Sequence, residues 1–202
     1  VDSSRPDTEL MRSVLEKLSA LEAAAARSGG GVVIEIEPEP LVLPPLPGGM
    51  REVFGSLRSI GGNLLRFDRP AVVASAERLD ARPRREGDPF ADAAVIGTLR
   101  FALPEFIAFA EWEDVVHVDL LDGSVFYCDS DEYLFRYENP GEGPPFERLT
   151  GSVAEFFDEF VLGWRYAELV ARAVGEEHAL VLGTPAVVRD RWLELLLAAG
   201  LV

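Results

Sequence analysis

Two apolar runs joined by Asp122-Gly123 constrain this chain more than any other stretch. Val115–Leu121 (VVHVDLL) and Ser124–Cys128 (SVFYC) are β-branched and aromatic. An Asp-Gly pair between such runs tolerates the backbone angles of a tight hairpin turn. A two-residue turn there pairs Leu120 with Val125, Val118 with Tyr127 and His117 with Cys128. Side chains alternate along a strand, so Val116, Val118, Leu120, Val125 and Tyr127 share one face. His117, Asp119, Phe126 and Cys128 share the other.

A well-specified helix follows the hairpin. Ser152 and Glu155 have the spacing of a capping box, in which the hydroxyl accepts the third backbone N–H and the carboxylate returns to the cap. Glu155, Asp158 and Glu159 sit near the positive end of that helix, where acids are favoured. Its apolar face is Phe156, Phe157, Phe160 and Trp164.

Upstream, Asp7 or Thr8 caps a first helix whose stripe is Leu10, Val14, Leu18, Leu21 and Ala25, ended by Gly29–Gly31. Val32–Glu37 alternates as a strand, and five prolines from Pro38 to Pro47 make a stiff connector. A short helix over Gly49–Ile60 carries Val53, Phe54 and Leu57, with Gly61-Gly62 as its left-handed cap. Strands are expected at Asn63–Phe67, Val72–Ala74, Val95–Phe101, Ile107–Trp112 and Tyr133–Tyr137, and a helical turn at Ser75–Leu79. Thr184-Pro185 opens a last helix with the stripe Val188, Trp192, Leu195, Leu196 and Ala199. The order of elements is mixed rather than regularly alternating, which predicts α+β: a single curved, mostly antiparallel sheet packed against helices. The organisation expected is an N-terminal helix, strand and Pro-rich connector over 1–46, an α+β domain over 47–174, and a C-terminal helical extension over 175–202 packed on the same domain.

Charge narrows the classes of partner. The chain has 35 acidic against 19 basic residues, a net charge of −16. From Glu111 to Glu159 there are 14 acids against two arginines, Arg136 and Arg148. Such a field repels nucleic acid and anionic membrane and steers cationic partners, although the same charge also serves solubility. The basic residues are 18 Arg and one Lys, Lys17, a bias of high-GC bacterial genomes. No apolar run reaches the roughly 20 residues that span a bilayer, the first residues VDSSRPDTEL carry no signal segment, and one cysteine makes no disulfide framework. A soluble cytoplasmic protein is expected.

Leu43–Gly62 (LPPLPGGMREVFGSLRSIGG), Val115–Asp129 (VVHVDLLDGSVFYCD) and Ser152–Gly163 (SVAEFFDEFVLG) together, in this order, resemble the SUKH superfamily. That group contains the Smi/Knr-type cell-wall regulator domain and many bacterial immunity proteins. The resemblance implies a curved sheet packed on helices, protein binding rather than catalysis, and neutralisation of toxins such as nucleases or deaminases in polymorphic toxin systems. The N-terminal helix and connector, and the Ala179–Val202 unit, are additions to the usual domain.

Chemical motifs are sparse. Cys128, His117 and Asp119 have the composition of a thiolate site, but two adjacent strands make no oxyanion hole, and a packed Cys beside a satisfied His is the expected arrangement. Asp129, Asp131 and Glu132 lack the further oxygen ligands and turning glycine of a calcium loop. One Cys and two His, His117 and His178, cannot complete a zinc site. Gly29–Gly31 and Gly61-Gly62 are not phosphate loops, and Arg82, Arg84 and Arg85 read as a solvated basic loop. No catalytic residue, metal or cofactor is expected.

The candidate that remains is an acidic surface bearing aromatics: Glu111, Glu113, Asp114, Asp129, Asp131, Glu132, Tyr133, Tyr137 and Glu138. Tyr contributes buried area to an interface and acids select a cationic partner such as a basic toxin domain, unless the two tyrosines pack under the sheet instead. The alternative is a scaffold domain whose terminal helices form a homodimer or dock in a larger assembly.

Overall fold

The computed structural model describes residues 7–27, 30–47, 49–82, 86–100, 113–174 and 190–202. Among them, seven strands form one open sheet that follows the order of the chain, with every neighbouring pair antiparallel. They are β1 (Val33–Ile36), β2 (Leu57–Gly61), β3 (Leu65–Asp68), β4 (Ala93–Leu99), β5 (Glu113–Asp119), β6 (Val125–Tyr127) and β7 (Glu147–Thr150). Bulges interrupt the register at Glu35/Ile36, around Gly97 and at Val125/Phe126, and such insertions bend strands. Gly97 also permits a close approach: a Cβ there would lie 2.8 Å from Cβ of Val116. The fold is therefore α+β with one antiparallel sheet, as the element order predicts.

Seven α-helices are present among the described residues: α1 (Asp7–Ala25), α2 (Met50–Ser56), α3 (Ala76–Asp80), α4 (Ser130–Glu138), α5 (Val153–Phe156), α6 (Tyr166–Val174) and α7 (Arg191–Ala199). α1, α2, α5 and α7 pack into the main core on one face of the sheet, and α4 lies against the other face over His117. Leu10, Val14, Leu18 and Leu21 of α1 are buried in the same core as Phe67, Val116, Val125 and Trp192. α1 packs on α5 and α7, and β1 is the edge strand beside β2, so residues from the first 46 share the core of the rest. Phe67 meets Phe156 and Phe157 edge-on, with centroids 5.8 and 6.3 Å apart, which locks α5 to the sheet. None of the helices among the described residues is long and apolar enough to cross a membrane.

The hairpin forms, with its expected faces but a different register. Val118 pairs with Val125, His117 with Phe126 and Val116 with Tyr127. Asp119 N–H donates to Ser124 O at 2.9 Å and Gly123 N–H to Asp119 O at 2.9 Å, so the turn is longer than two residues. The side chains of Asp119 and Asp122 cause this: each accepts a backbone N–H two residues on, at 2.7 Å, and Gly123 takes the positive φ of 80°. The register moves by an even number, which preserves the faces.

Other local expectations are corrected. The helix expected over Gly49–Ile60 stops at Ser56, and β2 runs on through Gly61, so Gly61-Gly62 ends a strand rather than capping a helix. Val72–Ala74 lies in a 3₁₀ turn, Ala71–Ala74, and Tyr133–Tyr137 is helical within α4. Ser152 caps α5 as expected, but Glu155 accepts from the N–H of Gly151, not from Ser152 itself. A π-helical segment, Phe157–Val161, follows α5 and spoils the 3.6-residue phase; Phe156, Phe157 and Phe160 are buried while Trp164 is 71% exposed. Asp190 caps α7, accepting from Trp192 and Leu193 N–H. Ile107–Trp112, Thr184-Pro185 and Val188 lie outside the described residues.

Candidate docking face on the fourth helix

β6 delivers the chain to α4 through Cys128 and Asp129. Asp129 Oδ1 accepts the N–H of Glu132 at 2.8 Å, and Glu113 Oε1 accepts the N–H of Ser130 at 2.7 Å. Two of the unpaired donors at the start of α4 are thus satisfied by carboxylates, at the end where the helix dipole favours negative charge.

The helix is turned against its own composition. Its single cation, Arg136, is 7% exposed, while Tyr133, Leu134, Phe135 and Tyr137 are 39, 55, 47 and 42% exposed. Arg136 is held inward by Glu132, one turn back, by the carbonyl of Pro144, and by the Phe146 ring, whose centre lies 3.9 Å from the guanidinium carbon. These groups supply the charge and hydrogen bonds that a buried guanidinium requires. The inward pull on Arg136 fixes the rotation of α4 and leaves the apolar side chains facing outward.

Tyr133 and Tyr137 are split between sheet and solvent. Tyr133 stacks on Phe90 with centroids 4.3 Å apart, and Tyr137 lies nearly parallel to Tyr133 at 6.3 Å. Beneath them, on the sheet face opposite the main core, His117 stacks on Phe126 at 5.3 Å and Phe126 on Phe146 at 4.5 Å. An aromatic layer therefore runs from Tyr137 through Phe90 to Phe126.

Of the acids read from the sequence, Glu113, Asp129 and Glu132 hold α4 in place and point inward to that task. Asp114, Asp131 and Glu138 are exposed around it. Partial desolvation by the surrounding polypeptide, and secondarily the charge of Glu113, raises the Asp114 carboxyl above its ordinary range. Glu111 lies outside the described residues. Leu134 and Phe135 belong to the face and were not among the residues read from the sequence.

The Cys128–His117 pairing expected across the hairpin is not present. Cys128 follows the last paired residue of β6, its N–H donating to Val115 O, and its Sγ lies 3.5 Å from Asp129 O. Burial, with Glu132 and Asp129 nearby, pushes its thiol up to about 12. His117 is packed but not satisfied: neither ring nitrogen has a hydrogen-bond partner among the described residues, and burial pushes its pKa down to about 4. Among the described residues no group of three or more His, Cys, Asp or Glu is arranged to hold a metal ion. Arg82 of the expected basic loop is paired with Asp92, and Arg84, Arg85 and His178 lie outside the described residues.

No family model, no curated protein and no solved structure matches this chain.

Proposed function

We propose that this chain is a non-catalytic protein-binding domain that docks a cationic protein on α4. One observation carries the reading: a nine-residue helix buries its only arginine and exposes Tyr133, Leu134, Phe135 and Tyr137. Aromatics at the centre of a patch with acids at its rim match the anatomy of protein interfaces. Asp131, Glu138 and Glu142 form the exposed acidic surround, and the net charge of −16 steers a basic partner toward it. The specific form implied by the SUKH resemblance is an immunity protein that occludes a basic toxin domain of a bacterial polymorphic toxin system. The scaffold alternative relied on the N-terminal helix and the C-terminal unit; α1 spends Leu10, Val14, Leu18 and Leu21, and α7 spends Trp192, Leu195 and Leu196, inside their own chain, which favours the α4 reading.

The test is paired affinity capture from source cells with the wild-type chain and a Leu134→Ser/Phe135→Ser variant. A basic protein retained by the first and lost by the second, with the two baits equally stable to urea, is the expected result. Equal retention of every captured protein by both baits contradicts the reading.

A further inference from the structure

A cleft of about 370 Å³ opens beside the docking face, between the hairpin tip and the segment before β4. Its walls include Asp88, Asp119, Leu121, Phe126, Phe146 and Arg148. Phe146 and Phe126 also belong to the aromatic layer beneath α4, and Phe90 joins them to Tyr133. The cleft is therefore continuous with the proposed interface, at the edge of the same layer. Leu121 stands on its rim with 66% of its surface exposed, at a hairpin tip where an apolar side chain has no folding task.

The charges in the cleft do not cancel. Asp92, also on the wall, is neutralised by Arg82. Asp88 and Asp119 then face one arginine, Arg148, whose Nε donates to Thr150 O. Among the described residues the acids of the wall outnumber its cations, and Arg148 also acts on Asp122, so negative charge is left over above an apolar floor. The faces of the Phe126 and Phe146 rings are occupied by His117, by each other and by Arg136, so the rings offer the cleft apolar edges and no stacking face. An occupant must therefore bring hydrocarbon for the floor and positive charge for the carboxylates.

We propose that this cleft receives one long cationic side chain, arginine or lysine, projecting from the docked protein, with its methylene stem on Phe126, Phe146 and Leu121 and its charged head between Asp88 and Asp119. Long basic side chains bury their stems against apolar surface while the head keeps polar partners. This deepens the docking reading and rests on it: α4 supplies apolar area, and the cleft supplies selection for charge.

The experiment titrates the full chain with Nα-acetyl-arginine amide, Nα-acetyl-lysine amide and the neutral Nα-acetyl-norleucine amide, following methyl resonances of Ala91, Ala93 and Leu121 by NMR. Saturable shifts are expected for the cationic amides, with dissociation constants on the order of millimolar for ligands of this size, and none for norleucine. The arginine and lysine arms identify which head fits. Asp88→Asn/Asp119→Asn should weaken binding about fivefold. Both substitutions keep the side-chain oxygen that accepts from Phe90 and Leu121 N–H, so the turns survive. Absence of saturable shifts, equal binding of norleucine, or indifference to the double substitution overturns the proposal. Leu134→Ser/Phe135→Ser should leave amide binding unchanged, so failure of the cleft and failure of the α4 face are read separately.

Discussion

The guanidinium carbon of Arg136 lies 3.9 Å from the centre of the Phe146 ring, and the same guanidinium bonds Glu132 and the carbonyl of Pro144. This contact decides which way α4 faces. Arg136→Met should remove the charge-assisted bonds, leave Glu132 without its cation, and cost about 2 kcal/mol in urea unfolding. Arg136→Lys should recover only part of that loss, because an ammonium cannot stack flat on a ring while bridging two acceptors. Full recovery by lysine would show that charge alone, without the planar contact, orients the helix.

His117 should make stability depend on acid. Its folded pKa is lowered to about 4 from 6.5 because burial disfavours the imidazolium. Between those values the unfolded chain binds the proton and the folded chain refuses it. Stability is therefore complete above the upper value and is lost as pH falls through the window, by at most about 3 kcal/mol. His117→Phe keeps an aromatic ring beside Phe90 and Phe126, removes two unpartnered nitrogens, and should flatten that part of the pH profile. Urea midpoints across the window, for both proteins, measure it.

Lys17 and Asp158 tie the first helix to the π-helical segment. Nζ of Lys17 lies 2.8 Å from Asp158 Oδ1 and donates to Asp158 O at 2.6 Å, and Ser13 Oγ donates to the same carboxylate. The aspartate is only 3% exposed. Lys17→Met should cost about 3 kcal/mol, because a buried carboxylate loses a cation at 2.8 Å. Lys17→Met/Asp158→Asn should cost less than Lys17→Met alone, since no uncompensated charge remains. A double variant worse than the single one would mean the pair acts through packing rather than charge.

Cys128 should be inert in the folded protein. A thiol pushed up to about 12 and buried presents almost no thiolate at neutral pH. Iodoacetamide labelling is expected to be slower than for the urea-unfolded chain by about 100-fold or more. Labelling of the folded protein at the rate of a free thiol would reopen nucleophilic chemistry at this position.

The hairpin faces and the stripes of α1 and α7 were legible because both follow from periodicity, and periodicity survives local errors. The hairpin shows this: Val118 moves from Tyr127 to Val125, an even step, and the buried faces are unchanged. The identity of α4 was obscured because Tyr133, Leu134, Phe135 and Tyr137 carry strand preference. A signal was present, however: Asp129 with Glu132 has the N-cap spacing, and Glu132 with Arg136 the one-turn ion-pair spacing. Reading both would have made Tyr133–Tyr137 helical, but it would still have turned Arg136 outward, because only the fold brings Pro144 and Phe146 against it. The π-helical segment that exposes Trp164 leaves no comparable trace, since it depends on how Asp158 meets α1 across 141 residues. The cleft was invisible for the same reason, being assembled from three separate stretches, 88–93, 119–126 and 146–148.

The most direct measurement is the affinity of the captured partner for the wild-type chain and for Asp131→Lys/Glu138→Lys, at about 50 and about 300 mM salt. Both positions are exposed and leave the Glu113, Asp129 and Arg136 contacts intact. Docking on α4 predicts tight, salt-sensitive binding by the wild type, and a loss of roughly tenfold or more with a flattened salt response in the variant. The same affinity and the same salt response in both proteins would contradict it.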